Sequence, residues 1–532
     1  AVLISAGCIQ LDELYPHLTE ADDVMFTRRN EEIAERMKAA KRIGKIDLAA
    51  TSETEEARKK ETPPEVVAMT EAEPVEENQK LHLVVGFLAA GAWSHAAKLM
   101  KRLSGLEPAA YKPVGDALRA HLAHLISKPP VEDGAVPMEE GEAGEVVPAG
   151  VLPNEVFEVM EALGLWLHKD SILFTLVCRA LLKHITSTGA LPDGEGKGPA
   201  MDKARAQVDS SMKACLLPAL TLIPSNPAVV NELWAVLRYL PYTVRYNLYG
   251  GWKDTLTTTT SPMLASQRNL TLMESKRIMR RISKENVKQF GRMLGKIAHA
   301  DPITIFSSIL SQIEVYNNMI SPVVDAMKYL TAMGYDVLTY VTIVNLGGNE
   351  KAKLKDDGMN VSLWLASLAS FCGHLTRKYP AVQLTALMQL IANQLTDSQS
   401  LDLLVLKEVV ARMTGVEILH EMSEDQLKAM AGGETLKAEA LTFTTFGSAK
   451  SLSKGASRLR DALSHGSDPL LVPLLILAGQ LRTSIPFNTE TPHLKLIGML
   501  YDQAHETFCQ YVEFLNTAIT PIATYADTIP SI

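Results

Sequence analysis

Apolar residues recur at intervals of three and four along nearly the whole chain. Leu81, Val84, Val85 and Leu88 form one such set, and Trp93, Ala96, Ala97 and Met100 the next. Val156, Val159, Met160 and Leu163 repeat it, as do Leu173, Leu176, Val177 and Ala180. Further on come Leu384, Leu387, Met388 and Ile391, then Leu403, Leu406, Val409, Val410 and Met413. Each set draws a single apolar stripe along a helix. Strand-like alternation is nearly absent; Tyr335–Val344 is apolar and β-branched and is read as a buried helix. Breaks separate the stripes at Gly105–Pro108, Lys128–Pro153, Ser187–Pro199, Ser225–Pro227, Thr255–Ser266, Gly347–Asn360, Gly432–Gly433, Gly447–Gly455 and Ser484–Pro492. Helix and turn alternating in this way predict an all-α fold, a helical-repeat array of the α-solenoid kind without a sharp repeat signature.

The length, 532 residues, exceeds what one hydrophobic core supports, so several domains or an array are expected. The start at Ala1 and the stop at Ile532 are those expected of a segment of a longer protein. With 47% hydrophobic and 21% charged residues the chain reads as folded, and its net charge of -9 gives no global pull toward nucleic acid or anionic membrane. No run of about 20 apolar residues occurs, so no membrane span is expected. Thr51–Glu77 holds nine acidic and three basic residues, and Pro129–Pro148 six acidic and no basic ones. Both are read as linkers, too poor in apolar surface to offset the entropy of ordering.

Searching the sequence for chemistry excludes most of it. Cys8, Cys178, Cys215, Cys372 and Cys509 are odd in number and scattered, without a CxxC, and are read as buried reduced thiols. His121 and His124, three apart on a helix, are read as two surface histidines, because no third ligand is spaced to complete a metal site. Asp193–Gly198 has the glycines of a phosphate loop but not its spacing, and is read as a plain loop. No nucleophile, metalloprotease, kinase or helicase motif occurs, so no catalytic residue, metal or cofactor is expected.

Two segments stand out as candidate interaction sites. The first is basic: Lys276, Arg277, Arg280, Arg281, Lys284 and Lys288, followed by Arg292 and Lys296, with Glu274 and Glu285 as the acids of the run. Ser283 is expected to cap a second helix, so that two helices meet there and gather the charge at one corner. Two readings stay open, a solvated face balancing the acidic linkers and a docking patch for RNA phosphates or an acidic partner. The second is aromatic: Trp234, Tyr242, Arg245, Tyr246, Tyr249 and Trp252. Pro241 is expected to end one helix, and the residues from Tyr242 to Tyr249 to share one face of the next, which Gly250-Gly251 would close. A packed seam between helical domains and a partner-binding ridge are both compatible with this pattern.

The run from Asn231 to Asp254, NELWAVLRYLPYTVRYNLYGGWKD, resembles the THO complex subunit 2 family. So do Glu274–Leu330, Ser362–Gly373, Leu401–Gly415, Glu421–Glu439 and His493–Phe508, and, more loosely, Leu11–Leu18 and Glu77–Met100. The resemblance implies a nuclear, non-catalytic scaffold of the THO and TREX assemblies, which couple transcription and mRNA processing to mRNA export. It implies a central part similar to the middle domain of initiation factor 4G, a helical repeat that clasps DEAD-box helicases. Expected partners are the other THO subunits, with subunit 1 along the N-terminal repeats, and a DEAD-box export helicase at the C-terminal half, mRNA being reached indirectly. Three regions are expected: N-terminal helices with an acidic linker over 1–80, a helical-repeat domain over 81–254, and an initiation-factor-4G-type middle domain over 266–532. A direct RNA-binding helical-repeat module is the alternative.

Overall fold

A computed structural model describes residues 1–43, 67, 78–127, 150–194, 196, 198–348, 351–416, 424–433, 435–436, 449–464, 469–488 and 493–518. Apart from Val67, the two acidic linkers expected at Thr51–Glu77 and Pro129–Pro148 lie outside these residues. Of the described residues 81% are helical and none forms a strand; an isolated antiparallel bridge joins Leu354 to Val361. The all-α helical-repeat expectation holds. The chain divides into two compact units. Unit 1 comprises Ala1–Arg277 with Lys296–Ile305, and unit 2 comprises Ile278–Gly295 with Phe306–Ile532.

In unit 1 the helices from Gln79 to Leu163 pack on near neighbours in sequence. Gln79–Ala89 lies against Trp93–Arg102 and Lys112–Ser127, and the latter against Asn154–Leu163. Ser171–Ser187 packs on Pro227–Leu237. The stripes read from the sequence supply the buried side chains: Leu81, Val84 and Leu88, then Val156, Val159, Met160 and Leu163, are all buried. At roughly 25 cal/mol per Å² of apolar surface, this burial is the main stabilising term.

Three helix starts in unit 1 are held by short polar side chains. Asn78 Oδ1 accepts from Leu81 N at 3.1 Å, and Asp170 Oδ1 from Ile172 N and Leu173 N at 3.0 and 2.9 Å. Asn226 Oδ1 accepts from Ala228 N at 2.9 Å. Each satisfies backbone donors that a helix start leaves open.

In unit 2, Leu363–Lys378 packs on Leu403–Thr414, which also meets Ala449–Ser464 and Leu494–Ala518. Ala332–Gly347 packs on Leu384–Thr396, which meets Leu471–Asn488. Within Ala332–Gly347 every residue from Met333 to Thr342 is buried, so the expectation of a buried helix over Tyr335–Val344 holds. Thr331 caps it through Gly334 N at 3.2 Å.

Several expected breaks are helical instead. Thr255–Ser266 is interrupted only at residues 259–261, between the helices Tyr242–Thr258 and Pro262–Met279. Leu471–Asn488 carries Pro486 inside its last turn. Gly455 lies inside Ala449–Ser464, where a Cβ would collide with the Met413 carbonyl. A Cβ on Gly373 would stand 2.7 Å from the Glu408 carbonyl. These two glycines let helices approach closely, a use that a sequence pattern does not separate from a turn.

The thiols also divide. Cys178, Cys215 and Cys372 are buried, and burial pushes all three pKa values up, Cys372 to about 12. Cys8 is exposed and Cys509 half-exposed, contrary to the expectation of burial, because neither lies on the inward stripe of a helix.

Candidate functional site

The basic run begins in the last turn of Pro262–Met279, where Lys276 and Arg277 are exposed. Cations suit that end, since the unsatisfied carbonyls carry partial negative charge. Arg277 pairs with Glu274 at 3.4 Å. The boundary between the two units falls after Arg277, so Lys276 and Arg277 belong to unit 1 and Arg280, Arg281, Lys284 and Lys288 to unit 2.

Residues 280–286 form a turn, and the next helix is Val287–Ala298. Ser283 is not its N-cap, contrary to expectation. Asn286 precedes the helix, and its side chain closes the turn in both directions, accepting from Ser283 N at 2.7 Å and donating to the Arg281 carbonyl at 2.8 Å. An amide can donate and accept at once along one plane, which makes it the better clasp here. Arg280, Arg281, Lys284 and Lys288 are all exposed, and among the described residues none has an ion-pair partner. Arg292, one turn further, lies 5.8 Å over the ring of Tyr329. Gly291 and Gly295 abut Tyr329 so closely that a Cβ on either would meet it or its neighbours within 3.0 Å. The helix is thereby seated on this ring while its cations stay in solvent.

The aromatic segment turns inward. Pro227–Leu237 ends before Pro241 and Tyr242–Thr258 begins after it, as expected. Gly250-Gly251 does not close the second helix, which runs on to Thr258. Trp252 and Leu256 are buried beyond the glycines, and their packing outweighs the cost of about 1 kcal/mol per helical glycine. Arg245 is 2% exposed and donates Nη1 to the Leu240 carbonyl at 2.7 Å, with its guanidinium 5.4 Å over the Trp234 ring. Tyr249 and Trp252 are buried as well, and Trp252 Nε1 donates to Thr221 Oγ1 at 3.1 Å. Tyr242 and Tyr246 stand edge to face at 5.8 Å. Trp234, Tyr242 and Tyr246 keep partial exposure and are the residues of this set that a partner could touch. Thr221, which receives the indole, gave no signal in the sequence.

The histidine pair is likewise not what the spacing suggested. His121 is packed against Trp93 with ring centroids 6.0 Å apart, and its Nε2 lies 2.9 Å from Glu155 Oε1; only His124 is exposed. His121 is drawn in because Trp93 offers it a flat apolar face. Trp93 in turn donates Nε1 to Glu158 at 2.7 Å. Among the described residues no three His, Cys, Asp or Glu side chains come together as a metal site would need. No described helix is long and apolar enough to cross a membrane.

A second cationic cluster, not singled out from the sequence, lies in unit 2. His374, Arg377 and Lys378 fall at i, i+3 and i+4 of Leu363–Lys378 and line one cleft. The spacing was the available signal.

The chain matches two family models, one described as THO complex subunit 2 N-terminus over residues 153–292 and one as transcription- and export-related complex subunit over residues 294–369. It is 37% identical over 570 residues to a THO complex subunit 2 of Arabidopsis thaliana, covering 100% of this chain and 31% of that protein. It is 38% identical over 551 residues to the human protein of the same name, covering 100% of this chain and 33% of that protein. To the Saccharomyces cerevisiae protein it is 24% identical over 315 residues, which cover 59% of this chain and 19% of that protein. The chain therefore spans about a third of the length of the plant and human relatives.

Proposed function

The chain belongs to the THO complex subunit 2 family, and on that premise we propose that it is a non-catalytic scaffold segment of a nuclear THO assembly. In this reading it holds the other THO subunits, with subunit 1 along the repeats of unit 1, and a DEAD-box mRNA-export helicase on unit 2. The observation that carries it is the likeness to THO complex subunit 2 along the entire chain. The fold supports it, because stacked helices leave long exposed faces suited to several partners at once. On unit 2 the helicase contact would run through Arg280, Arg281, Lys284 and Lys288, whose charges have no partner among the described residues. A scaffold of this kind changes the helicase's ATPase rate only through differential affinity for its open and closed forms.

The test is affinity purification of the tagged chain from nuclear extract. Recovery of the remaining THO subunits and a DEAD-box helicase is the expected result. Their absence, with the chain folded, would refute the scaffold role. Direct RNA binding is the second reading, favoured by the same unpaired cations. It separates by salt: RNA affinity would fall with a log–log slope of roughly 0.7 to 0.9 per phosphate contacted, whereas docking through apolar area would fall less.

A further inference from the structure

Three helices of unit 2, Ile320–Ala326, Leu363–Lys378 and Ala449–Ser464, line an open-sided cleft of about 370 Å³. Its polar walls are Ser321, Asp325, His374, Arg377, Lys378 and Ser451. His374, Arg377 and Lys378 share one helix face.

The charges around the cleft do not balance. Lys378 pairs with Asp325. Arg412, behind His374, pairs with Glu408 at 3.0 Å and reaches the Ser370 hydroxyl at 3.4 Å. Both carboxylates are thus already matched. Arg458, on the helix that carries Ser451, is spent on the Thr376 carbonyl. Arg377 has no carboxylate and no hydrogen-bond acceptor among the described residues, although it is half-buried. Burial and then the neighbouring Arg412 lower its pKa. Burial, then Arg412 and Arg377, push the His374 imidazole down to about 4, against a smaller opposing pull from Asp325. At neutral pH His374 is uncharged and still offers one N–H donor. A guanidinium withdrawn from water without a counter-charge costs folding free energy. An anion entering the cleft would offset that cost.

We propose that this cleft receives a single phosphoryl group, carried on a phosphorylated serine or threonine of a partner polypeptide, with Arg377 as its anchor. A guanidinium fork matches a phosphoryl group in two parallel hydrogen bonds, and Lys378, His374 and the two serine hydroxyls supply further donors on the same walls. The cleft has room for one side chain entering from its open side. A polynucleotide fits less well. Among the described residues the walls expose no aromatic face for stacking, since Tyr379 is buried with its hydroxyl on the Val324 carbonyl at 2.5 Å. The proposal does not depend on the scaffold reading.

The experiment is fluorescence anisotropy of the full chain with three labelled probes. These are the pentapeptide Gly-Ala-phosphoserine-Ala-Gly, its unphosphorylated twin, and a pentauridine RNA. The phosphopeptide is expected to bind more tightly than its twin by about tenfold or more, and Arg377→Gln to remove that difference. Arg377→Lys is expected to restore part of it. Because Arg377 has no partner among the described residues, Arg377→Gln should leave the melting midpoint unchanged or raised, which keeps loss of binding distinct from loss of structure. Equal binding of the two peptides, undiminished binding by Arg377→Gln, or no phosphopeptide binding up to about 1 mM would overturn the proposal. Tighter binding of the RNA than of the phosphopeptide would overturn it in favour of a nucleic-acid site.

Discussion

The guanidinium of Arg245 donates to the backbone carbonyl of Leu240 at 2.7 Å, five residues back across Pro241. It thereby satisfies a carbonyl just past the end of Pro227–Leu237, from inside the next helix, while lying over Trp234. Arg245→Ala should therefore destabilise unit 1 by about 2–4 kcal/mol, combining an orphaned buried acceptor with a cavity. Arg245→Lys should recover only part, since an ammonium cannot both stack on the indole and reach the carbonyl in one plane. Urea unfolding followed by tryptophan fluorescence measures it, and an unchanged midpoint for Arg245→Ala would contradict it.

Gly373 and Gly455 give opposite answers to helix propensity and to packing. Alanine is the better helix former by about 1 kcal/mol, yet a Cβ at either position runs into the backbone of Leu403–Thr414. Gly373→Ala and Gly455→Ala are expected to destabilise unit 2 by about 1–3 kcal/mol each, as overpacked substitutions do. A rise in the chemical denaturation midpoint for either would show that the helices can part at no cost.

Asp301 is fully buried at the start of Pro302–Ile313, accepting from Thr304 N at 3.0 Å, and burial raises its pKa to about 6. The folded chain thus holds this proton more tightly than the unfolded chain does. The contribution of the group to stability is greatest below about pH 4 and is lost as pH rises through about 6. Asp301→Asn keeps an acceptor for the cap and removes the charge, so above pH 6 it should stabilise unit 1 by about 1–3 kcal/mol. Thermal midpoints of both forms from pH 4 to pH 8 test the sign, which fails if the variant is the less stable one at pH 8.

Lys353 meets Asp402 at 2.6 Å, with side-chain exposures of 12% and 5%. Burial raises the Asp402 pKa, and Lys353 partly opposes it. Lys353→Met should cost about 3–5 kcal/mol by stranding the carboxylate, whereas Lys353→Met with Asp402→Leu should recover most of that loss. Hydrogen exchange at the Lys355 amide, which bonds to the Asn360 carbonyl at 2.8 Å, should quicken in the single variant and slow again in the double. Equal exchange in all three would detach the pair from the loop.

Helical class and core were legible because period and burial coincide: the stripe of Leu403, Leu406, Val409, Val410 and Met413 is buried throughout. The breaks were less legible. Gly455 reads as a turn signal in one dimension and is a helix-crossing point in three, since the backbone it accommodates belongs to Met413, some forty residues earlier in sequence. The basic run was found by its spacing, but Asn286 rather than Ser283 organises its turn, because two hydrogen bonds to residues 281 and 283 outweigh the usual preference for a hydroxyl cap. The aromatic run announced itself by composition, yet its depth depended on the Thr221 hydroxyl and the Leu240 backbone carbonyl, acceptors that no periodicity marks.

The helix Ala332–Gly347, closed in on nearly every side, has no face turned to water over its first ten residues after Ala332. Labelling reagents will reach Met333–Thr342 only through rare opening of unit 2, so the background there is low in the free and the assembled chain alike. It therefore supplies an internal zero for footprinting: protection that appears there on adding a partner signals altered breathing of unit 2, and protection anywhere else can be read as a footprint only after that baseline has held still.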